Sequence, residues 1–151
     1  YRNPVDVYLS TYKFITSMIP SLQLEDAPAE LISNNIFLVY NQLIRKYLNT
    51  RNLIPPGQFA EVRFEDFEQN PTAEMHRIYH QLNLPNFDQA APAFEKYATS
   101  QKTYKKNQFF MAQKLLDRLL AEWGFAMQHW KYEVPPHIEV KKDELVSQMF
   151  T

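Results

Sequence analysis

The sequence contains no cysteine, which excludes disulfides, thiolate metal sites and a cysteine nucleophile, and leans toward a reducing, cytoplasmic setting without fixing one. Glycine is nearly absent too: two glycines stand against ten prolines, a balance that disfavours hairpin-rich β structure and favours helices punctuated by proline. Charge of one sign is not in excess, and a net charge of −1 argues against a dedicated nucleic-acid binder. No apolar run reaches the length of a membrane span, and no signal peptide is visible. Lys142-Asp143-Glu144-Leu145 spells a retention signal but is internal, and retention requires the extreme C-terminus. No G-x-x-x-x-G-K-[ST] or G-x-G-x-x-G loop is present, so no stretch here cradles a triphosphate.

What remains is a chain of 151 residues, 45% hydrophobic and 22% charged, enough for one domain with a core. Its first stretch organises it. Asn3-Pro4 is a helix start, Asp6 adds first-turn negative charge, and Val5, Tyr8, Leu9 and Tyr12 form one apolar face. The pattern predicts a helix over Pro4 to Met18, with Arg2 just before it and Ser10 about two turns in. An arginine fork, a serine hydroxyl and a helix start are groups that converge on phosphates, although most such starts are plain structural caps.

A long helix is expected from Asp26-Pro28, with Ile32, Ile36, Val39, Tyr40, Leu43 and Tyr47 on its inner stripe, ending before Pro55-Pro56-Gly57. Phe59-Ala60-Glu61-Val62-Arg63-Phe64 alternates and is rich in aromatic and β-branched residues, which predicts a short strand. Asn70-Pro71 opens another helix carrying Met75, Ile78, Tyr79 and Leu82, and Asp88 to Tyr97 a further one with Pro92 near its first turn. After the polar stretch Thr99 to Gln108, the last helix carries Ala112, Leu115, Leu116, Leu119, Leu120 and Trp123, with Met127 and Trp130 extending the stripe. His76 and His80 have the i, i+4 spacing of a zinc pair, but no third ligand is evident, and they are taken as surface residues. Glu65-Asp66 are adjacent on an extended backbone, point apart, and so do not form an acid/base pair.

Three blocks carry a resemblance. Arg2-Asn3-Pro4 with Asp6-Val7, Ser10 and Tyr12 resembles the 3′-phosphate-binding segment of sulfotransferases that use 3′-phosphoadenosine 5′-phosphosulfate (PAPS). Val62-Arg63-Phe64-Glu65-Asp66-Phe67 with Asn70-Pro71, Ile78-Tyr79 and Leu82-Asn83-Leu84 looks like the segment after a central strand of those enzymes. That segment usually reads Tyr-Glu-Asp-Leu, with the tyrosine beside the adenine; Phe64 stands in its place here. The Tyr104-Lys105-Lys106-Asn107 loop, followed by a helix with Trp123-Gly124, resembles the C-terminal region of the broader bacterial and Golgi-type branch. The Arg-Lys-Gly and Gly-Asp-Trp-Lys signatures of the cytosolic steroid and phenol branch are absent.

The resemblance implies an α/β, P-loop-like sulfotransferase fold, of which this chain is the C-terminal portion: predominantly helical, with a short parallel strand near 59–64. It implies the C-terminal half of a sulfotransferase domain over 1–133, with an N-terminal half, holding the phosphosulfate loop and catalytic base, expected in the parent protein; from Val134 the sequence turns proline-rich and charged, and 134–151 is expected as a C-terminal extension. It further implies PAPS as co-substrate without a metal, and transfer of a sulfuryl group to a hydroxyl or amine of a small-molecule, carbohydrate or peptide acceptor. The implied nucleotide contacts are Arg2, Ser10, Phe64, Lys105 and Lys106, with no catalytic residue among them. A non-catalytic helical interaction module, with Arg2 as part of a cap and the proline-rich tail as a docking segment, is the competing reading.

Overall fold

A computed structural model describes residues 1–22, 27–101 and 110–142. The chain divides into two compact units, one made of Tyr1–Arg2 with Asn49–Lys106, the other of Asn3–Leu48 with Asn107–Thr151.

The larger unit grows from the predicted first helix, α1 (Pro4–Met18). Asn3 Oδ1 accepts from the Val5 N–H at 3.0 Å, and Pro4 occupies the first helical position. The Asn3 amide also donates to the Glu133 carbonyl at 2.8 Å, and the buried Asp6 carboxylate meets His137 Nε2 at 3.0 Å. The start of α1 is therefore tied to the segment that carries Glu133 and His137. A 3₁₀ turn, Ile19–Ser21, ends α1, and α2 runs from Ala29 to Thr50. The last helix, α6 (Gln113–Trp130), lies between two short strands, β1 (Phe110–Ala112) and β2 (Glu139–Lys141). These pair in parallel, Met111 opposite Val140, so β1–α6–β2 is a small crossover unit.

The core sits where α1, α2 and α6 meet. Trp123 is fully buried and stacks on Tyr40 at 3.8 Å between centroids, with Phe37 at 4.9 Å and Tyr8 at 5.9 Å. Val5, Leu9, Ile32, Ile36, Met111, Leu116 and Leu119 complete it. Burial raises the Tyr8 phenol, against the lowering effect of its 2.8 Å hydrogen bond with Ser33, and burial raises Tyr40 further, so both stay neutral. On α2 the inner stripe is Ile32, Ile36, Phe37 and Tyr40; Val39 and Leu43, expected inside, are 59% and 63% exposed. The two candidate stripes differ by a small rotation, and packing against α1 and α6 selects the one that carries Phe37. Val134 and Ile138, in the segment expected as an extension, pack on this core, and 143–151 lie outside the described residues.

The smaller unit holds α3 (Phe64–Gln69), α4 (Pro71–Gln81) and α5 (Phe87–Gln101). Asn70 caps α4 through the Ala73 N–H at 3.2 Å, as its Asn-Pro start predicts. Pro92 is accommodated inside α5, in its second rather than its first turn. Phe87 meets Tyr79 edge-on at 5.3 Å and Phe94 at 6.1 Å, joining α4 to α5. Scarcity of glycine shows at the helix ends. Asn83 closes α4 with φ 52° and Lys131 closes α6 with φ 54°, each followed by a bond back across the last turn, from Leu84 to Tyr79 and from Tyr132 to Met127.

The strand expected near 59–64 is a correction. Residues 59–63 are not strand, and Phe64 begins α3. The reason lies in where the backbone bonds go. On one edge Gln81 Nε2 reaches the Phe59 carbonyl at 3.1 Å and Arg77 Nη2 the Glu61 carbonyl at 2.8 Å, so α4 side chains take the place of a neighbouring strand. The other edge carries a rung with the chain start: the Tyr1 amino group donates to the Val62 carbonyl at 2.7 Å, and the Phe64 N–H to the Tyr1 carbonyl at 2.8 Å. That pair of bonds sets Tyr1 opposite Arg63 in parallel register.

Candidate nucleotide-phosphate site

Arg2 follows that rung directly. Its guanidinium carbon lies over the Phe64 ring, 4.4 Å from the centroid. Its Nε is buried and has no hydrogen-bond partner among the described residues. The other three arginines of this unit are engaged differently. Arg51 Nη1 donates to both Glu61 carboxylate oxygens at 2.9 and 3.0 Å, Arg77 binds Glu74 at 2.8 Å, and the Arg63 Nε, buried as that of Arg2 is, faces the Glu65 carboxylate at 3.4 Å. Arg2 forms no ion pair among the described residues, unlike Arg51, Arg63 and Arg77. A buried guanidinium donor without a partner is costly unless an acceptor reaches it. An oxyanion is the acceptor that its planar fork fits best. The Tyr1 phenol is raised from its ordinary value, by burial first and then by the Glu61 carboxylate.

Ser10 is exposed on α1, in the other unit. The beginning of α1 has little donor capacity left: Pro4 has no N–H, Asn3 Oδ1 takes that of Val5, and the Asn3 carbonyl that of Val7 at 3.0 Å. The Asp6 carboxylate in the first turn opposes a second negative charge there. A phosphate clamp on this segment thus depends on side chains rather than on the helix end.

Of the five residues expected to contact nucleotide, the structure brings Arg2 and Phe64 together, with guanidinium rather than open space on one face of the ring. Lys105 and Lys106 lie outside the described residues. Sequence reasoning placed Asp6 only as first-turn charge; its bond to His137 joins groups far apart in the chain, and no local pattern signals it. His76 packs edge-on to Phe87 at 4.7 Å, and no three His, Asp or Glu side chains converge on a metal site among the described residues. Among the same residues no helix is long and apolar enough to cross a membrane.

Comparison with known proteins agrees with the family reading. The sequence profile of the sulfotransferase family matches residues 1–89, and the chain belongs to that family. It is 25% identical over 132 residues to the omega-hydroxy-beta-dihydromenaquinone-9 sulfotransferases of Mycobacterium bovis and Mycobacterium tuberculosis. The match takes in 87% of this chain and 34% of each relative, so the chain spans about a third of their length. No solved structure matches it.

Proposed function

We propose that this chain supplies the 3′-phosphate-binding part of a P-loop-like sulfotransferase. The observation that carries the reading is Arg2: a guanidinium next to a parallel rung, over the Phe64 ring, whose buried Nε has no hydrogen-bond partner among the described residues. PAPS fits this environment through its 3′-phosphate, and when bound it supplies the sulfuryl group that passes to the acceptor, leaving adenosine 3′,5′-bisphosphate. Arg2 holds the phosphate by charge-assisted hydrogen bonds, Ser10 adds a hydroxyl donor, and Lys105 and Lys106 add cations on flexible stems. By fixing the nucleotide at its remote end, these residues contribute orientation. The mycobacterial relatives are named for a hydroxylated substrate, which supports a hydroxyl over an amine as the acceptor.

Hydrogen exchange of the full-length protein tests the assignment. Adenosine 3′,5′-bisphosphate is expected to slow exchange from Arg2 to Ser10 and from Tyr104 to Asn107, and the second effect disappears in the Lys105→Ala/Lys106→Ala variant. Unchanged exchange from Arg2 to Ser10 at saturating nucleotide contradicts it.

A further inference from the structure

We infer that Phe64 is a positioning residue that aims the Arg2 guanidinium at the 3′-phosphate, and not the platform on which the adenine rests. The inference depends on the phosphate-binding reading of Arg2 given above.

Three observations carry it. The first is the cation–π contact itself, with the guanidinium carbon over the ring and 4.4 Å from its centroid. Such a contact restrains the guanidinium through the ring's quadrupole and occupies no hydrogen-bond acceptor, so the ring holds the fork without pairing its N–H donors. The second is that Nε remains unpartnered and buried among the described residues, as a donor held for a ligand does. The third is how both partners are anchored. The Phe64 N–H bonds the Tyr1 carbonyl at 2.8 Å, so the backbone entering Arg2 is fastened to the residue whose ring supports the guanidinium. Phe64 also begins α3, whose first turn holds Glu65 and Asp66, so its own backbone is set by helix geometry. A mobile arginine would lose side-chain freedom on meeting phosphate; one held on a ring has lost it beforehand. This role needs an aromatic face and no hydroxyl, which a phenylalanine supplies.

The test is calorimetric titration of the full-length protein with adenosine 3′,5′-bisphosphate and with 5′-AMP, which share the adenine and differ in the 3′-phosphate. Phe64→Leu is expected to weaken the bisphosphate about three- to tenfold, the range a cation–π contact commands, while 5′-AMP changes less than about twofold. Phe64→Tyr keeps wild-type affinity for both. In an Arg2→Ala background, Phe64→Leu has no further effect on the bisphosphate, because the group it aims is gone. Equal weakening of both nucleotides by Phe64→Leu makes the ring an adenine platform and overturns the inference, as do additive losses in the double variant. If Phe64→Leu does not fold, Phe64→Met carries the same comparison. A wild-type protein that fails to distinguish the two nucleotides defeats the phosphate reading itself, before any variant is made.

Discussion

Arg2→Ala in the full-length protein is expected to weaken adenosine 3′,5′-bisphosphate about tenfold or more, since hydrogen bonds to charged groups contribute ~1.5–3 kcal/mol each. The size follows from what Arg2 lacks as much as from what it is. Arg51, Arg63 and Arg77 face carboxylates, whereas Arg2 faces an aromatic ring and has a buried Nε without a partner. Removing it costs the protein no internal ion pair among the described residues, so the loss falls on binding rather than on folding. Arg2→Lys restores charge without the planar fork and recovers only part of the affinity. The check is titration of both variants beside their melting curves: a binding loss with an unshifted melt is the expected result. An Arg2→Ala protein that binds the bisphosphate as the wild type does would remove Arg2 from the site.

The second large effect is on stability. Trp123→Ala is expected to cost about 3–5 kcal/mol in denaturant melts, the range for emptying a large aromatic site in a core. Trp123 is fully buried and contacts rings from α1 and α2, so one truncation loosens the three-helix core together. Trp123→Phe is milder for two reasons. It keeps most of the stacking on Tyr40, and it removes an indole N–H that is buried without a partner. A Trp123→Ala cost below about 1 kcal/mol would show that this aromatic contact set does not hold the core.

Local chemistry was legible in the sequence. Asn3-Pro4 and Asn70-Pro71 announce helix starts because cap and proline act within three residues, and both caps form as expected. Contacts set by distant partners were not. Val39 and Leu43 fit the helical period as well as Phe37 does, and only the neighbouring helices decide which face turns inward. Phe59 to Phe64 has the alternation and composition of a strand, yet Gln81 and Arg77 occupy one of its edges. The real strands, Phe110–Ala112 and Glu139–Lys141, are three residues each, too short for any period to emerge. Arg2 was found by the order of motifs around it, whereas its seat on Phe64 depends on the rung between Tyr1 and the 62–64 segment.

The central claim is that the Arg2 segment recognises a 3′-phosphate, and nucleotide discrimination by the wild-type full-length protein tests it most directly. Calorimetric titration compares adenosine 3′,5′-bisphosphate with 5′-AMP at one ionic strength, since salt screens the charge that separates them. The account predicts affinity for the bisphosphate at least about tenfold higher, equivalent to ~1.4 kcal/mol. Equal affinity for the two nucleotides would contradict it.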